Sequence, residues 1–296
     1  MAKSKVYFTK DLSDAGLRKI YKALGVNLKG KVAVKISTGE PGGHNFLQPK
    51  LIGGLVKDLN GTIVECNTAY GGGRFESKDH WKTIKDHGFL DIASCEILDE
   101  FGEMELPVKN HLQLSYDIVG EGLKKYDSML VLSHFKGHVM GGFGGALKNI
   151  SIGLASRNGK AYIHSVGATK DPAVMMKNLF DRDQDAFIEA MADASKAIID
   201  YVKPKNMAYI NVANRLSTEC DCSSNPSEPE MADIGIFASL DPVALDQCCY
   251  DAIINSPDKG KASLVKRMNE MHGIHIVEAA HQLGLGNKEY QIIKID

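Results

Sequence analysis

The chain has 296 residues, 44% of them hydrophobic and 24% charged, with a formal net charge of −2. That is the balance of a folded protein long enough for one large core or two smaller ones, and it excludes a disordered chain. Near-neutral charge without blocks of one sign leaves no electrostatic footprint for nucleic acid, and no run of about 18 apolar residues offers a membrane span, so a small molecule is the expected partner.

The N-terminal stretch carries no apolar segment of signal-peptide length, which points to the cytoplasm. Six cysteines (Cys66, Cys95, Cys220, Cys222, Cys248, Cys249) lie in a chain too large to need stapling. Reduced thiols are the expectation.

Strand-like and helix-like runs alternate from the start. "KVAVKIS" (31–37) and "GTIVECN" (61–67) are β-branched and bounded by turn formers, while "QPKLIGGLVKDL" (48–59) spaces Leu51, Leu55, Val56 and Leu59 as one helical face. "SCEILDE" (94–100) and "DSMLVLSHFK" (127–136) extend the rhythm. Next comes a strong amphipathic helix over 183–202, with Phe187, Met191, Ala194 and Ile198 on one face. Residues 207–216 and 232–241 read as strands, 242–254 as a helix with Pro242 in its first turn and Asp241 as its cap, and "YQIIKID" as a terminal strand. The pattern predicts an α/β fold with a mainly parallel, doubly wound sheet over 1–205 and a smaller C-terminal α/β portion over 206–296, divided at the Lys-Pro-Lys-Asn step of 203–206.

Ligands of such sheets sit beyond the carboxyl ends of the strands. Three glycine-bearing loops follow strands there: "TGEPGGHN" (38–45), "TAYGGGR" (68–74) and "HVMGGFGGALKNISIG" (138–153). The last segment could expose successive backbone amides as an anion nest, flanked by Lys136 and Lys148. It is not a P-loop, because Lys148 follows "GGAL" and precedes Asn149. His138, Lys148 ten residues on and His164 sixteen after that form a set with a base, an amine and a metal donor. Arg74 is a candidate clamp for a carboxylate or phosphate. In "CDC", Cys220 and Cys222 are two positions apart, so in an extended segment their thiols point the same way and could share zinc or a transition metal with a histidine. Asp246 is a candidate to face the cleft, whereas His272, His275 and His281 lack the pattern of a zinc protease and read as surface or core residues.

"SHFKGHVMGGFGGALKNISIGLASRNGK", "ECDCSSNPSEPEMADIGIFASLDPVALDQ" and "AAHQLGLGNKEYQI" together resemble the uncharacterised iron–sulfur-centre family known as domain of unknown function 362. That family commonly carries a ferredoxin-like insert with two Cys-x-x-Cys-x-x-Cys runs; the corresponding stretch here, about 180–205, has no cysteine. A four-iron cluster needs four thiolates, so the resemblance does not bring the cluster with it. The order of His138, Lys148 and His164 is also similar, more remotely, to the nickel-pincer lactate racemases. That resemblance implies an acid–base histidine, a lysine holding the pincer nucleotide and a nickel-binding histidine. The catalytic histidine of that family's second loop is absent, since "GGGR" places Gly73 and Arg74 there.

The expectation is therefore a cofactor- or metal-dependent enzyme, its cofactor unidentified, that binds an anionic small molecule or nucleotide-like cofactor. His138 and Lys148 are its chemical groups; Gly42, Gly43, His44, Arg74, Lys136, Gly141, Gly142, Gly144 and Gly145 are its binding residues; His164, Cys220 and Cys222 are its metal ligands. The alternative is a non-catalytic ligand-binding or regulatory protein that has lost the family's iron–sulfur module.

Overall fold

The computed structural model describes residues 3–296. In chain order the elements are β1 (Ser4–Thr9), α1 (Asp14–Ala23), β2 (Val32–Lys35), α2 (Pro49–Asp58), β3 (Thr62–Glu65), α3 (Ser77–Asp86), β4 (Cys95–Ile97), β5 (Glu103–Pro107), β6 (Tyr116–Gly120), β7 (Ser128–His134), β8 (Lys136–His138) and β9 (Gly142–Gly144). There follow α4 (Ala146–Ile150), α5 (Arg157–His164), α6 (Pro172–Lys177), α7 (Gln184–Val202), β10 (Met207–Ala213), β11 (Gly235–Ser239), α8 (Pro242–Ile254), α9 (Ala262–Glu270), α10 (His275–Gln282) and β12 (Tyr290–Lys294).

One eight-stranded sheet, in the order β12-β1-β11-β10-β7-β2-β3-β4, organises the molecule. Its pairings are parallel except where β11 runs against β10 and β1. The mainly parallel sheet expected from the alternating runs is thus present, with helices on both faces. β7 shows why: all seven of its residues are buried. Met129 and Val131 enter one core while Leu130 and Leu132 enter the other, as a strand covered on both sides requires. Leu17 of α1, Leu51 and Leu55 of α2 and Ile84 of α3 close one face; Leu147 of α4, Ile163 of α5, Phe187 of α7, Leu245 of α8 and Val277 of α10 close the other.

Residues 206–296 continue this same sheet through β10, β11 and β12. β10 pairs in parallel with β7, placing Ile210 beside Leu132 and Val212 beside His134. The carboxyl ends of β2, β3, β7 and β10 consequently open at one edge. Local signals agree with the ends of the helices: Asp183 caps α7 by accepting from the Ala186 amide, and Asp241 caps α8 by accepting from Val243 and Ala244. No helix among the described residues is long and apolar enough to cross a membrane.

Candidate functional site

At that edge lies a cavity of about 310 Å³. Lys35 and Ser37 reach it from the end of β2, Glu65 and Cys66 from β3, and Ser133 and His134 from β7. Val139, Met140, Met175, Met176 and Leu179 add an apolar side. Of the candidate residues, Arg74, Lys136, His138, Gly144, Gly145, Lys148, His164, Cys220 and Cys222 all line it.

Gly42, Gly43, His44, Gly141 and Gly142 are not among its lining residues. The first two pack against the backbone of residues 223 and 224, and His44 is a half-exposed side chain whose Nε2 lies 3.0 Å from Glu228. His272 is exposed beside Asp185, and His275 and His281 lie at the surface, away from the cavity.

The expected nest of free glycine amides is corrected by the structure. β8 and β9 pair as a short antiparallel hairpin, matching Lys136 with Gly144 and His138 with Gly142. Beyond it the Ala146 and Leu147 amides donate to the two oxygens of Asp246, at 2.8 and 2.9 Å, and Asn211 Nδ2 donates to one of them at 2.7 Å. The start of α4 is therefore capped by the chain's own carboxylate, and Asp246 faces that helix rather than the cavity. Burial pushes its carboxyl up to about 6 against these hydrogen bonds. A Cβ at Gly145 would collide with Asp246, and one at Gly142, whose φ is 75°, with Gly273. The glycines admit close neighbours of the same chain.

The charged groups of the cavity fall into two kinds. Arg74 is fully engaged: Nε lies 3.0 Å from Glu40, Nη1 2.9 Å from Glu65, and Nη2 donates to the Tyr70 hydroxyl at 2.9 Å. Glu65 also accepts from the Thr38 amide at 3.0 Å and faces His80 Nε2 at 3.2 Å. Burial alone would raise its carboxyl, but Arg74 and His80 hold it well below the usual range. Lys136 pairs with Asp221 at 2.9 Å, and Asp221 with His134 Nδ1 at 2.8 Å. Lys35 donates to Asn149 Oδ1 at 3.0 Å and to the Ile36 carbonyl, and burial lowers its ammonium to about 8 despite Glu65.

Lys148 is of the other kind. It lines the cavity, and its side-chain ammonium has no hydrogen bond or ion pair among the described residues. Burial, and then repulsion from Lys136, bring its ammonium down to about 7, although Asp221 opposes the change.

Two histidines flank it with opposite protonation patterns. His138 Nδ1 accepts from the Gly141 amide at 2.9 Å and the Met140 amide at 3.3 Å, so the neutral ring carries its proton on Nε2. His164 Nδ1 lies 2.7 Å from the Lys160 carbonyl and must donate to it, which leaves the lone pair on Nε2. Burial keeps both neutral: His138 titrates well below its ordinary range, aided by the Lys148 charge, and His164 at about 4.

The expectation of six reduced thiols is also corrected, because Cys220 and Cys222 are joined as a disulfide with Cα atoms 5.2 Å apart. Size argues only against stapling of long loops; it says nothing about two neighbours whose side chains meet. Cys66, Cys95, Cys248 and Cys249 are free. His138, Cys220 and Cys222 bring donor atoms within 4.8 Å of one another, a group that could hold a metal ion once the bond is reduced. In the oxidised state described here both sulfurs are committed to each other, and His138 has its Nδ1 lone pair engaged by amides.

Sequence reasoning passed over Lys35, Glu40, Glu65, His80, Lys160 and Asp221. Lys35 and Glu65 had a usable signal, since each is a charged residue at the carboxyl end of an otherwise apolar strand.

Several solved structures are similar to this chain, two of them as follows. The lactate racemase apoprotein from Thermoanaerobacterium thermosaccharolyticum aligns at 15% identity and a TM-score of 0.47, over 83% of this chain and 56% of that one. A crystal structure of a protein from Thermotoga maritima aligns at 12% identity and a TM-score of 0.44, over 91% of this chain and 58% of that one. This chain thus spans less than two thirds of either. None of the curated proteins matches it. The family model described as "Domain of unknown function (DUF362)" matches residues 32–251, most of the chain, and the protein belongs to that family.

Proposed function

We propose that the protein is a cofactor- or metal-dependent enzyme whose cavity holds an anionic small molecule or the anionic part of a nucleotide-like cofactor. The observation that carries this reading is Lys148, a cavity-lining amine that no carboxylate of the described chain engages. A bound anion supplies the missing partner, and a charge-assisted hydrogen bond to it in a partly desolvated site is stronger than one in water.

The flanking histidines give the site its chemistry. His138 offers Nε2–H as a hydrogen-bond donor, and His164 offers an Nε2 lone pair as a proton or hydrogen-bond acceptor. For a transition metal, His164 is the fitting ligand, because its Nδ1–H is fixed on the Lys160 carbonyl while Nε2 stays open, the usual outer arrangement of a metal-bound imidazole. A metal held there would supply Lewis-acid polarisation of a ligand oxygen. Lys148, titrating near neutrality, also fits a covalent anchor, since a substantial fraction is the free amine at pH 7.

The test is native mass spectrometry of the purified protein, denaturation in the same run, and calorimetric titration with sulfate and AMP. A mass excess surviving denaturation at Lys148, or a metal lost on unfolding, together with anion binding weakened about tenfold or more by Lys148→Met, is the expected result. Bare chain mass throughout and no binding of either probe would overturn the proposal.

A further inference from the structure

Cys220 and Cys222 belong to the segment between β10 and β11, and both line the cavity. Their bond is poorly placed to stabilise the fold. It joins residues two apart, where the loop-closure contribution is at its smallest. The segment is already held by Asp221, whose side chain pairs with His134 and Lys136 and whose carbonyl accepts from the Glu40 amide at 2.8 Å. Those contacts do not involve either sulfur, so the loop keeps its anchors when the bond opens. Disulfides open to reagents are the labile, regulatory or catalytic ones, and this bond lies on the cavity wall.

The two thiols differ in the way exchange chemistry requires. Cys220 is 3% exposed, whereas Cys222 is half-buried and reachable from the cavity. The Cys222 amide donates to Cys220 Sγ at 3.4 Å, which favours negative charge on the inner sulfur. His138, holding its proton on Nε2, has a ring nitrogen within 4.8 Å of both sulfurs. Lys148, which lines the same cavity without an ion pair among the described residues, favours a substrate that carries carboxylates.

We propose that Cys220 and Cys222 form a dithiol–disulfide exchange centre that reduces small, carboxylate-bearing disulfides in this cavity. The Cys222 thiolate attacks one sulfur of the substrate RSSR, forming a Cys222–SR bond and releasing RS⁻. The Cys220 thiolate then attacks Cys222 Sγ, closing the protein disulfide and releasing the second RS⁻. Two electrons pass from the dithiol to the substrate, and the two thiol protons leave with two RSH. A second external dithiol returns the protein to its reduced form by the reverse exchange. The preference for carboxylates rests on the reading of Lys148 as the ligand's cation, whereas the exchange between the two sulfurs does not.

The full chain, reduced with dithiothreitol and freed of it, is mixed with 5,5′-dithiobis(2-nitrobenzoate), a disulfide bearing two carboxylates. The wild type is expected to release two thionitrobenzoates rapidly and end with the Cys220–Cys222 bond in its peptide map. Cys220→Ser should release one and retain the other on residue 222, and Cys222→Ser should slow the rapid phase about tenfold or more. A persistent adduct on wild-type Cys220 or Cys222, or no rapid phase, would overturn the proposal. So would protection of both thiols from alkylation by one equivalent of zinc, which would make the pair a metal site. The wild-type peptide map, with the Cys220–Cys222 bond closed and no thionitrobenzoate retained on either residue, decides the matter even if a variant fails to fold.

Discussion

Arg74 and Lys148 are both cations following glycine-rich stretches, both line one cavity, and their surroundings are opposite. The guanidinium of Arg74 is matched by Glu40 and Glu65, so its charge is neutralised inside the fold. Lys148 has been brought to the same cavity with no such partner. A positive residue in a glycine loop is therefore no indication of binding by itself; what counts is whether the chain supplies the counter-charge. Arg74 is bound into the scaffold, and Lys148 is the cation we propose for a ligand.

The largest effect should come from breaking the matched set. Arg74→Met leaves two carboxylates buried without their cation and should cost about 3–5 kcal/mol in urea denaturation, with folding lost if the margin is small. Lys148→Met should do the reverse, holding stability within about 1 kcal/mol while anion affinity measured by calorimetry falls by a factor equivalent to about 1.5–3 kcal/mol. Equal stability losses in the two variants would erase the distinction.

Asp117 on β6 sharpens the comparison with an unmatched group of opposite sign. Fully buried, with Oδ2 lacking a partner, its carboxyl is pushed up to about 8 by burial. Between the unfolded value near ~4 and the folded value, the native chain holds a proton that the unfolded chain has released. Stability should then fall as pH rises through that window, with a slope of at most about 1.4 kcal/mol per pH unit from this group. Chemical denaturation from pH 4 to 8 should show this contribution vanish in Asp117→Asn; an unchanged slope would mean that Asp117 is ionised in the fold.

Much of the scaffold was legible because apolar periodicity is local. The β-branched cores of β2, β3 and β7, the stripe of α7 and the Asp-Pro start of α8 declare themselves within a few residues. The order of His138, Lys148 and His164 along and beyond the glycine-rich segment singled out three residues that line one cavity. What escaped was set by distant partners. The amides of α4 are capped by Asp246, some 100 residues further along the chain, so no local window distinguishes an open nest from a filled one. Arg74 read as a clamp because Glu40, 34 residues earlier, bears no sequence mark of their pairing. The tautomers of the two histidines depend on a backbone amide in one case and a carbonyl in the other, and neither leaves a trace in residue type.

The most direct test of the claim that Lys148 is the ligand's cation is calorimetric titration of sulfate, whose charge does not change over the range, at pH 6 and pH 8.5. An ammonium titrating at about 7 is mostly charged at the lower pH and mostly neutral at the higher one. Sulfate affinity should accordingly drop about 10–30-fold between them in the wild type. In Lys148→Met it should be weak at both values, with little pH dependence. Equal affinity at both pH values in the wild type, or an undiminished drop in the variant, would contradict the account.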